Sequence, residues 1–169
     1  MTSNEEIRGW LSGRLPQDWF DGAPEVTVDR EEITVVGRLA VPDLAEGVSD
    51  AERAAALRGR VKGFREDTRD KRIDIARELE HRTGRKVAWG VEVADQRVLF
   101  TTLSVPVMTR LRQPERAVLD TLVEAGVAKS RSDALAWCVK LVGKHSDEWL
   151  TQLRSAMEEV QRVRESGPA

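Results

Sequence analysis

The chain has 169 residues, of which 40% are hydrophobic and 33% are charged, and its formal net charge at pH 7 is -2. It contains neither an apolar run of the roughly 18 to 20 residues that a membrane span needs nor a charged-then-apolar signal segment at Met1. One cysteine, Cys138, excludes an intrachain disulfide, and two histidines disfavour a metal cage. We therefore expect a cytoplasmic protein that has no metal, no cofactor and no membrane contact.

The small net charge hides a strong segregation along the chain. Residues 1–57 carry 5 basic and 12 acidic side chains, and residues 58–86 carry 11 basic and 6 acidic ones. Residues 104–145 are again basic, with 7 basic and 4 acidic side chains. A slightly acidic chain with two basic blocks can still present basic surfaces to a polyanion.

The first hundred residues predict an α+β domain. After a short helix over residues 4–13, the β-branched segments 26–29 and 33–36 flank a polar turn and predict a hairpin. Ser49 and Glu52 form a capping box that opens a long helix, which Gly84 ends. Gly59 and Gly63 are the positions at which this helix could break.

A second hairpin follows the long helix, with strands over 87–93 and 98–103 and a turn at 94–96. The order strand, strand, long helix, strand, strand predicts an antiparallel β-sheet with the long helix across one face. We assign this domain to residues 1–103 and leave its role open.

From Val107 the pattern changes. Val107, Thr109 and Leu111 alternate with Met108, Arg110 and Arg112, which predicts a short strand over 107–112. Helices over 114–125 and 131–142 follow, because Pro114 suits a first helical turn and Gly126 and Gly143 are natural stops. An amphipathic C-terminal helix is predicted over 146–165.

A lone strand of this length has unpaired backbone groups and too small an apolar stripe to bury by itself. Pairing with the same strand of a second copy removes both problems. We therefore expect a homodimer formed through strand 107–112 and helices 114–125 and 131–142.

The segment VPVMTRLRQPERAVLDTLVEAGVAKSRSDALAWCVKLV, residues 105–142, resembles the ribbon-helix-helix DNA-binding proteins of the Arc and MetJ type. The resemblance implies a ribbon-helix-helix domain over 104–145 whose two-stranded β-ribbon reads the major groove of double-stranded DNA. It implies base contacts from the outward strand residues Met108, Arg110 and Arg112. It also implies phosphate contacts from the start of the second helix, at Lys129, Ser130, Arg131 and Ser132.

Other interpretations of these residues stay open. Arg110 and Arg112 are also compatible with a solvated edge strand, and residues 130–133 with an ordinary helix cap. A slip of one residue would exchange the inward and outward strand faces, and the position of Pro114 leaves room for it. Four cations of the long helix have two interpretations: they either make auxiliary DNA contacts or form a solvated face that pairs with nearby aspartates. These residues are Arg69, Lys71, Arg72 and Arg77.

These observations predict a homodimeric DNA-binding protein, a transcriptional regulator such as a repressor or a nucleoid-associated protein. No Gly-rich phosphate loop, nucleophile elbow or histidine cluster is present, so we expect no enzyme activity. The acidic block over residues 1–57 motivates the alternative of an antitoxin-like protein that binds a protein partner and represses its own operon.

Overall fold

A computed structural model describes residues 3–167. The chain divides into two compact units, residues 1–106 and residues 107–169. Within the described residues the architecture is α+β, with six helices and a four-stranded mixed sheet.

The sheet belongs to the first unit and has the strand order β1-β2-β3-β4, with β1 at Glu25–Val28, β2 at Glu32–Arg38, β3 at Lys86–Val93 and β4 at Gln96–Leu99. The pairs β1–β2 and β3–β4 are antiparallel, as the two hairpins predict. The second hairpin turns at Ala94, whose φ of 52° lies in the left-handed region. Residues 100–103, which we predicted as strand, lie beyond the end of β4.

The centre of the sheet departs from the prediction of an antiparallel sheet. Strands β2 and β3 pair in parallel, with Ile33 opposite Val87, Val35 opposite Trp89 and Gly37 opposite Val91. A parallel pair needs a long crossover connection, and the helical segment between the two strands supplies it. The error arose because the order of the elements is compatible with both directions of pairing.

The crossover consists of two helices, α2 at Asp50–Asp67 and α3 at Arg69–Thr83, after the N-terminal helix α1 at Asn4–Arg14. Ser49 and Glu52 form the predicted capping box, and Gly84 ends α3 with a φ of 71°. The interruption lies at Thr68 and not at Gly59 or Gly63. The Thr68 hydroxyl donates to the Phe64 carbonyl over 2.6 Å, so a side chain competes for the helical acceptor at that point.

The core of the first unit lies between the three helices and one face of the sheet. Ile7 and Leu11 of α1 and Ile75 and Leu79 of α3 are essentially without solvent contact. Trp19 packs edge-on against both Phe64 and Trp89, with ring centroids 5.8 and 6.1 Å apart. This aromatic cluster joins the loop after α1 to the crossover helix and the central strand.

The second unit contains three helices, α4 at Gln113–Glu124, α5 at Arg131–His145 and α6 at Asp147–Ser166. Gly126, with a φ of 73°, follows the end of α4 as predicted, whereas α5 continues through Gly143 to His145. The predicted strand over 107–112 is not formed. Its backbone has no strand partner within the described residues, and the ribbon-helix-helix arrangement is not what the structure shows.

Within residues 3–167, no helix is both long and apolar enough to cross a membrane.

The contact between Gly37 and Phe20 predicts a stability effect. A Cβ atom at Gly37 would overlap the ring of Phe20, including its Cγ atom, which a simple rotation of the ring does not move away. We expect Gly37→Ala to lower the free energy of unfolding by about 1 to 3 kcal/mol, the usual cost of overpacking. Urea unfolding measures the change.

The matched control is Gly63→Ala in α2, where an added Cβ meets nothing within 4 Å. This variant should gain about 0.5 to 1 kcal/mol, because alanine has the higher helix propensity. Equal stabilities for the two variants would contradict the close packing of Phe20 on β2.

Candidate nucleic-acid interface

The three side chains predicted as base readers are exposed to solvent. Arg110 and Arg112 are exposed, Met108 is 97% exposed, and the neighbouring Val107 is 86% exposed. They lie in a segment without helix or strand that ends where α4 begins. Arg112 is the N-cap residue of α4, and its extended backbone precedes the helix.

One side chain of α4 returns to this segment. The Arg116 guanidinium donates to the carbonyl of Leu111 over 2.8 Å. This bond holds the end of the arginine-bearing segment against the first turn of α4.

The start of α5 is capped by its own side chains. The Ser130 hydroxyl accepts from the Asp133 backbone N–H, and the Asp133 carboxylate accepts from the Lys129 backbone N–H over 2.9 Å. Ser130 and Asp133 thus bind backbone groups that a phosphate would otherwise use. Lys129 and Ser132 remain exposed beside this cap.

Arg131 is engaged in a bidentate ion pair. Its Nε and one terminal nitrogen donate to the two carboxylate oxygens of Asp120 over 2.6 and 2.8 Å, which joins α5 to α4. The hydrogen bond from Arg131 holds the pKa of the Asp120 carboxyl below its usual value, and the same bond raises the pKa of Arg131. To bind a phosphate, Arg131 would have to exchange this partner.

The second unit leaves much apolar surface uncovered. Its buried residues are Leu119, Ala128 and Ala134, and half-buried neighbours such as Leu122 and Leu135 pack on them. The exposed apolar side chains of the three helices are Val118, Trp137, Val139, Leu141, Val142, Trp149, Leu153, Met157, Val160 and Val163.

On the crossover, the structure separates the four predicted auxiliary contacts. Arg69 and Arg72 line one surface groove beside Phe100, whereas Lys71 and Arg77 do not line it. Two cations that the sequence analysis did not single out, Lys62 and Arg65, line the same groove. The signal that could have found them is their spacing of three and four residues, which places all four cations on one helical face.

Arg72 is the unusual member of this group, because it is only 7% exposed. Its Nε donates to the Thr68 hydroxyl over 2.9 Å, and one terminal nitrogen donates to the Arg65 carbonyl over 2.7 Å. Its guanidinium carbon lies 4.8 Å from the centre of the Phe100 ring. Burial lowers the pKa of Arg72, and the charges of Arg65 and Arg69 lower it further.

Among residues 3–167, no group of three or more histidine, cysteine, aspartate or glutamate side chains is placed to hold a metal ion.

We expect the Arg131–Asp120 ion pair to have a measurable effect on the titration of the Asp120 carboxyl. The pKa of Asp120 is lower in the folded than in the unfolded protein, so the ion pair stabilises the fold at every pH above the pKa of an ordinary aspartate. This stabilisation is lost as the pH falls through the lowered pKa. Arg131→Gln should return the pKa of Asp120 to its ordinary range, as NMR titration of the carboxyl carbon would show. An unchanged pKa of Asp120 would contradict the ion pair, and Arg154→Gln serves as the control.

Comparison with known proteins identifies both units. Residues 5–99, more than half of the chain, match the family described as Rv1265-like protein, N-terminal domain. Residues 112–164 match the Mb1296 C-terminal domain. No solved structure matches the chain.

Curated relatives include the proteins described as Uncharacterized protein Mb1296 from Mycobacterium bovis and Uncharacterized protein Rv1265 from Mycobacterium tuberculosis. Each is 62% identical over 159 residues, which cover 94% of this chain and 69% of the relative. The resemblance of residues 105–142 to the ribbon-helix-helix proteins is therefore wrong, since the family model that matches residues 112–164 belongs to a different family. The chain belongs to the family of Rv1265-like proteins.

Proposed function

We propose that the protein is a homodimeric DNA-binding protein, either a transcriptional regulator or a nucleoid-associated protein. The observation that carries the proposal is in the second unit, where an exposed arginine-bearing segment directly precedes helices with uncovered apolar faces. The cations would attract a polyanion such as DNA, and association of two copies would bury the exposed apolar faces.

The argument for a dimer rests on the small core of the second unit. The buried residues in the described part of this unit, Leu119, Ala128 and Ala134, are a weak core for its length, because small units bury too little of their surface to be stable by themselves. Val139 and Val142 of α5 are 65% and 54% exposed. A second copy presents the same apolar face, so one two-fold contact covers the faces of both copies.

The argument for DNA rests on the type and exposure of the polar side chains. Arg110 and Arg112 have no carboxylate partner among the described residues, so their donors are free for a ligand. An arginine can bond O6 and N7 of guanine together, which gives sequence discrimination. Lys129, Ser130, Arg131 and Ser132 at the start of α5 would contact the phosphate backbone, where Arg131 exchanges Asp120 for phosphate.

The dimer is tested by placing charge on the apolar face of α5. We expect the double substitution Val139→Asp and Val142→Asp to convert the dimer into a monomer, because burying two carboxylates without partners costs several kcal/mol. Sedimentation velocity at micromolar concentration measures the change. The matched control is Thr151→Asp with Ser155→Asp, which adds two carboxylates to the polar side of α6 and should leave the dimer intact.

A monomeric native protein in that experiment would favour the antitoxin-like alternative. Helix α6 buries none of its residues and carries an apolar stripe that contains Trp149, Leu153 and Met157, a face that suits a protein partner. A purified stoichiometric complex that involves α6 would then be the expected result.

DNA reading is tested by removing the two exposed arginines. We expect Arg110→Ala with Arg112→Ala to reduce the preference for specific over non-specific duplex by about 1 to 3 kcal/mol for each arginine that contacts a guanine. Competition gel shifts on selected genomic fragments measure this preference. An unchanged preference would contradict base reading by these residues.

The control for that experiment is Arg154→Ala with Arg164→Ala, which removes the same charge from α6. It should weaken binding to all sequences equally if it has any effect, since phosphate contacts carry no sequence information.

A further inference from the structure

Four cations form a line on the crossover helices of the first unit. Lys62, Arg65, Arg69 and Arg72 follow one another at steps of three, four and three residues, and they line a single groove with Phe100 and Thr101. We call these four residues the cationic stripe. Helices α2 and α3 position them together because the chain resumes helical geometry immediately after Thr68.

The stripe is poorly neutralised within the protein. Glu66 is the one carboxylate among the residues that line the groove, and it lies 3.8 Å from Lys62 with both side chains largely exposed. Within residues 3–167, the ion pair of Arg69 is with Asp70, over 3.4 Å and at the surface. Exposed pairs of this kind contribute about 0 to 1 kcal/mol, so they leave the cations available to a stronger ligand.

Arg72 shows that the groove is built around an uncompensated charge. Its hydrogen-bond acceptors are a hydroxyl and a carbonyl, and no carboxylate pairs with it in the part of the chain that the structure describes. A buried charge normally requires a partner of opposite sign. Here the positive charges of Arg65 and Arg69 repel it. An anion in the groove would supply the missing partner.

Phe100 lies beside two of the four cations. The guanidinium carbons of Arg65 and Arg72 lie 5.6 and 4.8 Å from the centre of its ring. Cation–π contacts at these distances hold both side chains in place without using their hydrogen-bond donors. The groove therefore loses less side-chain entropy when a ligand binds than a set of free arginines would.

The length of the stripe indicates the kind of anion. The ten residue steps from Lys62 to Arg72 span at most about 15 Å, the rise of an uninterrupted helix, and the four cations follow one another along this length. One strand of DNA carries a phosphate about every 3.4 Å along its axis, so a span of about 15 Å faces about four phosphates. Such a line suits an extended polyanion with regularly spaced charges.

We propose that the cationic stripe binds the phosphodiester backbone of nucleic acid, as a contact independent of base sequence and additional to the arginines of the second unit. The inference rests on the proposed DNA-binding function and extends it to the first unit. The stripe supplies affinity and its dependence on salt, whereas Arg110 and Arg112 supply sequence preference.

The experiment compares two triple variants of the full chain. The test variant carries Lys62→Gln, Arg65→Gln and Arg69→Gln, and it keeps Arg72 because its bonds to Thr68 and Arg65 support the helix junction. The control variant carries Arg30→Gln, Arg53→Gln and Arg60→Gln, which removes the same charge from exposed positions of the first unit outside the groove. Circular dichroism and thermal unfolding establish that both variants are folded.

The measurement is the affinity for a duplex of 24 base pairs at several salt concentrations. Each phosphate contact contributes about 0.9 to the slope of log affinity against log salt, so we expect the slope of the test variant to fall by up to about 2.7. The control should keep the native slope, and both variants should keep the native sequence preference. A polyglutamate of equal charge should bind the native protein more weakly than the duplex does.

The outcomes separate the two proposals. If the native protein binds DNA and the test and control variants have equal slopes, the stripe proposal is overturned and the proposed function stands. If the native protein does not bind DNA, both are overturned. If the test variant loses polyglutamate binding and keeps duplex binding, the groove is a site for an acidic protein segment, and the proposal is again overturned.

Discussion

The parallel pairing of β2 with β3 is the constraint on which the first unit depends. Two neighbouring parallel strands cannot be joined by a tight turn, so the chain must leave the sheet after β2 and return to the end of the sheet at which β2 began. Helices α2 and α3 make that return, and their apolar side is covered by the sheet through residues such as Leu57, Phe64 and Ile75. The cationic stripe lies at the border of this covered side, since Lys62, Arg65 and Arg69 are exposed whereas Arg72 is only 7% exposed.

The helix junction links this constraint to the charge distribution. Thr68 is buried and donates to the Phe64 carbonyl, and it accepts from Arg72, so the interruption of the helix and the placement of a buried cation are parts of one hydrogen-bond network. Phe100, just after the last strand, reaches the same point from the sheet. The site therefore depends on the fold of the whole first unit and not on one helix.

The helices of the second unit depend on local sequence signals more than on packing. Its local signals are strong, with a proline in the first turn of α4 and a serine cap on α5, but its helices bury few residues. Local propensity thus determines the helices, while many apolar side chains of the described part of this unit stay exposed. The proposed dimer would supply further stability, because helix formation alone contributes little without packing.

The sequence by itself determined the features that depend on neighbours in the chain: both hairpins, the helix caps at Ser49 and Ser130, the ends of helices at Gly84 and Gly126, and the segregation of charge. Only the tertiary structure decided the direction of the β2–β3 pair, the absence of a strand over 107–112 and the burial of Arg72 beside Phe100. The physical reason is that strand pairing and burial are set by contacts between residues far apart in the sequence, which periodicity does not record.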